Sequence, residues 1–151
     1  MSPELAPALD RFHEGLSPAT TRNRFFSLHP HLSAAELERF TNVDHVDRDA
    51  LVVIDREGLV VAVARFDRLS EGSPTAEVAF VITDRWQHHG VGSALFARLA
   101  ARASEVGVTR FVADTLADNS AMRALFRHAA PACRETVAQG VVHITIDLAP
   151  T

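Results

Sequence analysis

Apolar positions along the chain follow two different periods, and the change of period predicts the order of the elements. Alternation of apolar and polar residues predicts β-strands at 51–54, 59–66, 76–82 and 110–116, and one or two more within 134–148. Spacings of three and four residues predict helices at 33–43, at 91–106 and from 119 to 131. This order predicts an α/β (α+β) fold, in which helices flank a mixed central sheet.

Local signals refine this outline. Ser33, with Glu36 three residues later, has the pattern of a capping box at a helix start. The turn at 55–58 (DREG) joins the first two strands as a hairpin. Residues 1–20, rich in Pro, Ala and Ser, are expected to form a loose or short helical lead-in. Because no repeat or linker interrupts the remainder, we expect 21–151 to be a single domain.

The amino-acid composition excludes several classes of binding and catalytic site. The chain has 151 residues, 19 acidic and 15 basic, and its formal net charge is −4. A nucleic-acid-binding domain usually has a basic excess, so we expect no nucleic-acid partner. All the basic residues are arginine, and the chain contains neither lysine nor tyrosine. These absences exclude a Schiff-base lysine, a P-loop lysine and a tyrosine general acid.

Cysteine, histidine and hydropathy patterns bear on location and metals. Cys133 is the single cysteine, which excludes an internal disulfide and a cysteine-built zinc site. The pairs His29/His31 and His88/His89 lack a third ligand at a suitable spacing, so we expect no metal. No apolar run approaches the ~20 residues that span a bilayer, and the acidic first residues lack the apolar region of a signal peptide. We therefore expect a cytoplasmic protein without a membrane partner.

The most informative segment is the loop before the long helix, with the sequence Gln87-His88-His89-Gly90-Val91-Gly92-Ser93. Its glycines let a ligand approach the backbone, and the following helix offers unpaired N–H groups to a pyrophosphate. A tight strand-to-helix turn explains the same glycines equally well. A P-loop is excluded because there is no lysine, and a Rossmann motif needs a third glycine where Leu95 stands.

This arrangement resembles the acetyl-CoA signature of the GNAT acetyltransferase superfamily, Gln/Arg-x-x-Gly-x-Gly/Ala. The residues that match are Gln87, Gly90 and Gly92. The resemblance extends to 119–126 (NSAMRALF), similar to the family's Asn-x-x-Ala/Met-x-x-Leu-Tyr/Phe helix, and covers most of 50–148. Segment 24–45 also resembles the corresponding part of bacterial Pat-type protein lysine acetyltransferases. The resemblance implies a GNAT fold with a mostly antiparallel mixed sheet, and acetyl-CoA as co-substrate.

The resemblance also implies which residues contact acetyl-CoA. The strand before the loop would pair its backbone with the pantetheine arm through Phe80, Val81 and Ile82. Backbone N–H groups of the loop would hold the pyrophosphate, from His88 and His89 through Gly90, Val91 and Gly92 to Ser93. Asn119 would reach the pantetheine or a bound water, although helix capping explains the same residue.

Two acids are candidates for the catalytic base. Glu77 is a lone acid in an otherwise apolar strand, where burial would raise its pKa, and Pat-type enzymes carry a glutamate in the matching place. A strand-edge glutamate facing water is the alternative. Asp114 is the second candidate, since other GNAT enzymes carry an acid in this strand. Where the family often has a proton-donating tyrosine, this chain has Phe126. Arg123 and Arg127 are candidates for contacting the 3′-phosphate of CoA, or form a solvated helix face.

The implied activity is transfer of acetyl from acetyl-CoA to an amine. The preferred acceptor is a lysine on a protein such as an acyl-CoA synthetase. Five acids against two arginines within 33–50 would form an acidic rim that favours a cationic acceptor, or an ordinary solvated face. A small amine is an alternative acceptor, and an acyl-CoA-binding regulatory module with little catalysis is an alternative function. We expect a monomer or homodimer.

Overall fold

The computed structural model describes residues 1–25 and 31–148, and within them a mixed six-stranded sheet has helices on both faces. The strands are β1 (Arg48–Ile54), β2 (Val60–Arg68), β3 (Thr75–Ile82), β4 (Arg110–Leu116), β5 (Arg134–Ala138) and β6 (Val141–Asp147). The α-helices are α1 (Ala6–Glu14), α2 (Pro18–Phe25), α3 (Ala34–Thr41), α4 (Val91–Glu105) and α5 (Ser120–Ala129). The predicted fold class is confirmed, and the predicted strands and helices are present with small shifts at their ends.

The strands lie in the order β1-β2-β3-β4-β6-β5. β3 and β4 are parallel, and every other neighbouring pair is antiparallel. The predicted hairpin between β1 and β2 is confirmed: the Asp55 carboxylate accepts hydrogen bonds from the N–H groups of Glu57 and Leu59. Because side chains alternate between faces, β1, β2 and β3 contribute to two separate apolar layers.

Helices α4 and α5 cover one face of the sheet through a cluster of aromatic rings. Phe96 of α4 and Phe126 of α5 both contact Phe80 of β3, with ring centroids 6.2 and 5.7 Å from that of Phe80. All three side chains are buried, and burial of each contributes about 1.5–3 kcal/mol. This cluster fixes both helices against the strand whose end leads into the glycine loop.

Helices α1, α2 and α3 lie on the opposite face. Phe12 of α1 and Phe40 of α3 belong to a second apolar cluster with Val63 of β2, while α2 contacts β3 and β4. The expected lead-in at residues 1–20 thus forms α1 and the beginning of α2, as short helices. The capping box at the start of α3 is confirmed, because the Ser33 hydroxyl and the Glu36 carboxylate each accept a hydrogen bond from the other residue's N–H.

Two acids of the expected acidic rim are paired with arginines. The Asp49 side chain is only 4% exposed and lies 3.1 Å from Arg102 of α4. Asp47 lies 3.1 Å from Arg68. The expectation of an open acidic rim along 33–50 is therefore wrong at these two positions, since arginines distant in sequence neutralise them.

The pairing of Asp49 predicts a pH-dependent contribution to stability. Burial raises the pKa of the Asp49 carboxyl, but hydrogen bonds from His45, the Ala50 N–H and Arg102 outweigh burial and hold the pKa below its ordinary value. We expect Asp49→Asn to lower the free energy of unfolding at neutral pH by about 1–2 kcal/mol, because it weakens buried charge-assisted hydrogen bonds. Urea denaturation measures this difference.

The sign of the pH effect follows from the depressed pKa. The contribution of Asp49 is present above the ordinary aspartate pKa of 3.8 and is lost as the pH falls through the folded-state value. The unfolding free energies of the wild type and Asp49→Asn should therefore converge in acid. Glu57→Gln, at an exposed turn position, is the matched control and should match the wild type throughout. A gap that stays constant with pH would contradict the assignment.

Candidate active site

Strands β3 and β4 separate after three residue pairs. The pairs are Thr75–Arg110, Ala76–Phe111 and Glu77–Val112. Both strands continue, to Ile82 and Leu116, so their later residues diverge in a gap that we call the β3–β4 fork. β3 stays paired with β2 as far as Ile82. The edge of β3 that faces the fork therefore has backbone N–H and C=O groups without a strand partner, and such groups bind ligands readily.

A cleft of about 720 Å³ occupies the β3–β4 fork. Val78–Ile82 line one bank and Ala113–Thr115 line the other, while the glycine loop, the start of α5 and helix α2 complete the lining. Among the predicted cofactor contacts, the lining includes Phe80, Val81, Ile82, Gln87, His88, Gly90, Gly92, Ser93 and Asn119. Two others, His89 and Val91, lie outside it, and Val91 packs against the core.

The glycine loop ends at a helix start that no side chain caps. Gly90 is the N-cap residue of α4 and has φ +81°, in the left-handed region where any other L-residue pays about 1–2 kcal/mol. The first N–H groups of a helix have no acceptor within the helix, and the helix dipole places partial positive charge there. This end of α4 therefore suits a phosphate group.

Gly92 has a different requirement, which is space. A Cβ atom at this position would lie 2.2 Å from Cδ1 of Leu125 in α5 and 3.2 Å from Cδ1 of Ile82. Only a hydrogen fits between the first turn of α4 and these side chains. The two glycines of the motif thus serve two purposes, since Gly90 provides the backbone conformation and Gly92 allows α4 and α5 to approach.

Gln87 holds the loop to the end of β3. Its Nε2 donates to the carbonyl oxygen of Ile82 at 3.0 Å, so part of its hydrogen-bonding capacity is used within the protein. The neighbouring His88 has φ +63°, an unusual value for a residue with a side chain. Gln87 therefore fixes the conformation of the loop around the cleft.

Asn119 and Phe126 occupy opposite ends of the cleft-facing part of α5. The Oδ1 atom of Asn119 accepts from the Met122 N–H at 3.2 Å, which is the predicted helix cap. Phe126 is 1% exposed and packs against Phe80 and Phe96. Sequence reasoning missed Thr115, a buried residue of the cleft whose hydroxyl has no hydrogen-bond partner within the described residues.

The two candidate bases both line the cleft. Glu77 occupies the last paired position of β3 before the β3–β4 fork, and it is exposed. The expectation that Glu77 is buried is wrong, because its side chain is on the sheet face away from the α4–α5 core, where the cleft opens. Asp114 is also exposed, and its carboxylate is hydrogen-bonded to His143 of β6.

Helix α2 forms a wall of the cleft that the sequence did not reveal. Its start is joined to the loop after β3, because Ser17 and Thr20 both donate to the Asp84 carboxylate, at 3.3 and 2.6 Å. Further along, Arg22 lies 3.4 Å from Asp118, in the loop before α5. These contacts join residues 64 or more positions apart, so no local pattern could have indicated them.

Arg24 of α2 brings positive charge to the Glu77 side of the cleft. Burial lowers the pKa of Arg24 to about 10, and Arg65 adds to this shift. Asp67 and Glu77 act in the opposite direction, which shows that they share the neighbourhood of Arg24. Even at a pKa of about 10, Arg24 is a cation at neutral pH.

Comparison with known proteins agrees with this geometry. The acetyltransferase (GNAT) family matches residues 10–130. The chain belongs to the GNAT family. The strand fork, the glycine loop and the uncapped helix are thus parts of a GNAT domain.

Two proteins show where this GNAT domain stands within the family. The acetyltransferase Pat of Mycolicibacterium smegmatis is 39% identical over 136 residues, which is 89% of this chain and 40% of that protein. The crystal structure of the GNAT domain of S. lividans PAT is 36% identical, with a TM-score of 0.90, and the match covers 98% of this chain and 88% of that one. This chain therefore spans well under half the length of the curated relative that it matches.

A third match also covers most of this chain but less than half of the other protein. The cAMP-binding acyltransferase from Mycobacterium smegmatis is 35% identical with a TM-score of 0.66, and the match covers 87% of this chain and 40% of that protein. The region that this chain shares with each of these two proteins is thus of the size of one GNAT domain.

The two arginines of α5 are engaged within the GNAT domain itself. Arg123 and Arg127 lie 3.3 and 2.9 Å from the Glu135 carboxylate of β5. The hydrogen bond from Arg127 holds the pKa of Glu135 below its ordinary value, and Glu135 raises that of Arg127. These ion pairs join α5 to the edge of the sheet, so the arginines have a partner in place of a phosphate.

The described part of this GNAT domain contains no cluster of three or more metal-binding side chains. His29 lies outside the described residues. Likewise, no helix within 1–25 and 31–148 has the length and apolarity needed to cross a bilayer.

Proposed function

We propose that this GNAT domain transfers an acetyl group from acetyl-CoA to an amine, with a lysine side chain of a protein as the acceptor. The observation that carries the proposal is the β3–β4 fork beside the uncapped start of α4. A single cleft contains both an unpaired strand edge and a helix N-terminus. The first suits an amide-containing arm, and the second suits a pyrophosphate.

In this proposal acetyl-CoA is held mainly by backbone groups. The pantetheine amides pair with the free edge of β3 through Phe80, Val81 and Ile82. The pyrophosphate lies against the N–H groups from His88 through His89, Gly90, Val91 and Gly92 to Ser93. Asn119, which lines the cleft beside its cap, contacts the pantetheine or a water bound to it.

Glu77 is the proposed base. A lysine ammonium has a pKa near 10.4, so only about one in 2,500 is neutral at pH 7. Glu77 takes the proton from the ammonium, directly or through a water, and the neutral nitrogen attacks the thioester carbon. The C–S bond then breaks, the electron pair leaves with the CoA sulfur, and the nitrogen gives its second proton to water to form the neutral amide. Because Glu77 is exposed, it passes its proton readily to solvent.

The leaving thiolate receives its proton from water in this proposal, since the chain contains no tyrosine. Phe126 fills the place of the family's tyrosine and is packed between rings of the core. This substitution is also the specific observation behind a second candidate function, an acyl-CoA-binding regulatory module with little catalysis.

The choice of a protein lysine rests on two supports. The Mycolicibacterium smegmatis relative is an acetyltransferase named Pat, and the S. lividans domain is that of a PAT. In addition, the cleft is lined by the acids Glu77, Asp84, Asp114 and Asp118, whose charge favours a cationic acceptor. We therefore propose acyl-CoA synthetases as the first class of acceptor to examine.

Transfer from radiolabelled acetyl-CoA to purified acyl-CoA synthetases, spermidine and an aminoglycoside tests the proposal. We expect label on a synthetase lysine, located by mass spectrometry. Self-labelling gives little background, because the chain has no lysine side chain of its own. Label on the small amines alone would overturn the protein-lysine proposal. Binding of acetyl-CoA without turnover on any acceptor would favour the regulatory module.

A further inference from the structure

Asp114 and His143 form a hydrogen-bonded pair on the β4 bank of the cleft that the proposed mechanism does not use. They are directly opposed residues of the antiparallel strands β4 and β6. The His143 Nδ1 atom is within hydrogen-bond distance of Asp114 Oδ1. Since an ionised carboxylate only accepts, the imidazole donates through its Nδ1–H. Asp114 lines the cleft, so His143 supports it from behind.

Asp114 shares a sheet face with Glu77. Glu77 is paired with Val112, and Asp114 is two residues further along β4, so both acids project to the same side. Neighbouring strands lie ~4.8 Å apart and two residues advance ~6.6 Å, which places the two Cα atoms roughly 8 Å apart before the strands diverge. The two carboxylates therefore face the cleft from its opposite banks, close to the point where the β3–β4 fork begins.

The other charged groups around this point leave the acids in excess. Arg24 faces it from α2, close to Glu77. Asp118, in the loop before α5, is paired with Arg22. On β5 the residue opposite His143 is the neutral Thr136. Asp114 is thus the acid on the β4 bank that a cationic group in the cleft would contact.

We propose that Asp114 binds the ammonium of the acceptor from the β4 bank, opposite Glu77, and that His143 is a positioning residue that orients the Asp114 carboxylate. This inference rests on the proposed function and adds a recognition site for a cationic nitrogen. Binding at Asp114 holds the acceptor nitrogen within the reach of Glu77. An ordinary surface ion pair between two half-exposed residues would have no such effect on the acceptor.

Steady-state kinetics of four variants test the proposal, with lysine-containing protein or spermidine as cationic acceptor and hydroxylamine as a nucleophile that is neutral at neutral pH. We expect Asp114→Asn to raise the KM of the cationic acceptor about 10- to 100-fold. We expect His143→Ala to raise it about 3- to 10-fold, and His143→Asn, which keeps an N–H near the Nδ1 position, to restore most of the loss. Asp147→Asn removes two cross-strand ion pairs elsewhere on the sheet and is the matched control.

The hydroxylamine reaction separates recognition from folding. The KM of acetyl-CoA should be the same in all four variants, and Asp114→Asn and His143→Ala should lower kcat/KM for the cationic acceptor more than for hydroxylamine. An unchanged KM for the cationic acceptor in both Asp114→Asn and His143→Ala would overturn the inference and leave the proposed function intact. Parallel loss of the hydroxylamine reaction would also overturn it, because the pair would then be structural.

The acceptors that the wild type turns over, together with the KM shifts of the variants, distinguish the two proposals. Turnover of spermidine but of no protein lysine, with the expected KM shifts, would overturn the protein acceptor and support the ammonium site. If hydroxylamine were the only acceptor that reacted, both proposals would be overturned, because no cationic acceptor would then reach the thioester.

Discussion

Replacing Glu77 by glutamine is expected to lower kcat for acetyl transfer by about 100- to 10,000-fold, the range that a positioned general base contributes. Glutamine has nearly the same shape but accepts no proton at neutral pH. Glu77 is exposed, so the substitution disturbs little packing. Initial rates with saturating acceptor measure the effect, and calorimetry should show an unchanged Kd for acetyl-CoA.

A matched control supports this test. Glu71→Gln changes an exposed glutamate in the turn between β2 and β3 and should leave kcat as in the wild type. Full activity in Glu77→Gln would remove the base assignment and transfer the role to Asp114, the other acid that the sequence indicated in this cleft.

Gly92→Val is expected to give the largest loss of stability and to abolish acetyl-CoA binding. The new Cβ would overlap Leu125 Cδ1, at 2.2 Å, and the two added methyl groups would enlarge the clash. Overpacking of this kind lowers the free energy of unfolding by about 1–3 kcal/mol. Relief requires the Leu125 side chain to shift or α4 and α5 to move apart, and either change alters the lining of the cleft beside the start of α4. Thermal denaturation and calorimetry measure the two effects.

Two further variants distinguish the need for space at position 92 from the need for a left-handed backbone at position 90. In Gly92→Ala combined with Leu125→Ala, the truncated side chain should accommodate the new methyl group, so the two substitutions should be less destabilising together than their sum. Gly90→Ala has open space around its Cβ, so it should lose only about 1–2 kcal/mol through its left-handed backbone. A stable Gly92→Val that binds acetyl-CoA normally would refute the packing argument.

The regular elements of the fold could be predicted from the sequence because their signals are local. Alternation along 76–82 defined β3, and the spacing of apolar residues defined α4 to within one residue of its end. The Asn119 cap was also visible, since a cap depends on a single residue and the N–H groups that follow it. The glycine loop could be predicted for the same reason, because its motif lies within a few consecutive residues.

The features that the sequence concealed depend on partners far along the chain. His143 meets Asp114 across 29 positions, and Arg22 meets Asp118 across 96. The β3–β4 fork is a property of backbone pairing, which side-chain alternation does not encode. The apolar neighbours of Glu77 predict burial, but Glu77 is exposed because its side chain lies on the sheet face away from the α4–α5 core, where the cleft opens.

At the β3–β4 fork, the main chain and the side chains of β3 have separate roles. Along Phe80–Ile82 the side chains point to the two apolar layers of the domain, while the main chain alone faces the gap. Packing therefore determines which side chain stands at each position here. The free backbone edge is the same for any apolar residue that keeps the strand in register. Related chains can exchange these residues to adjust core packing and still keep the backbone edge that we propose for the pantetheine arm, so this stretch has the sequence pattern of an ordinary buried strand.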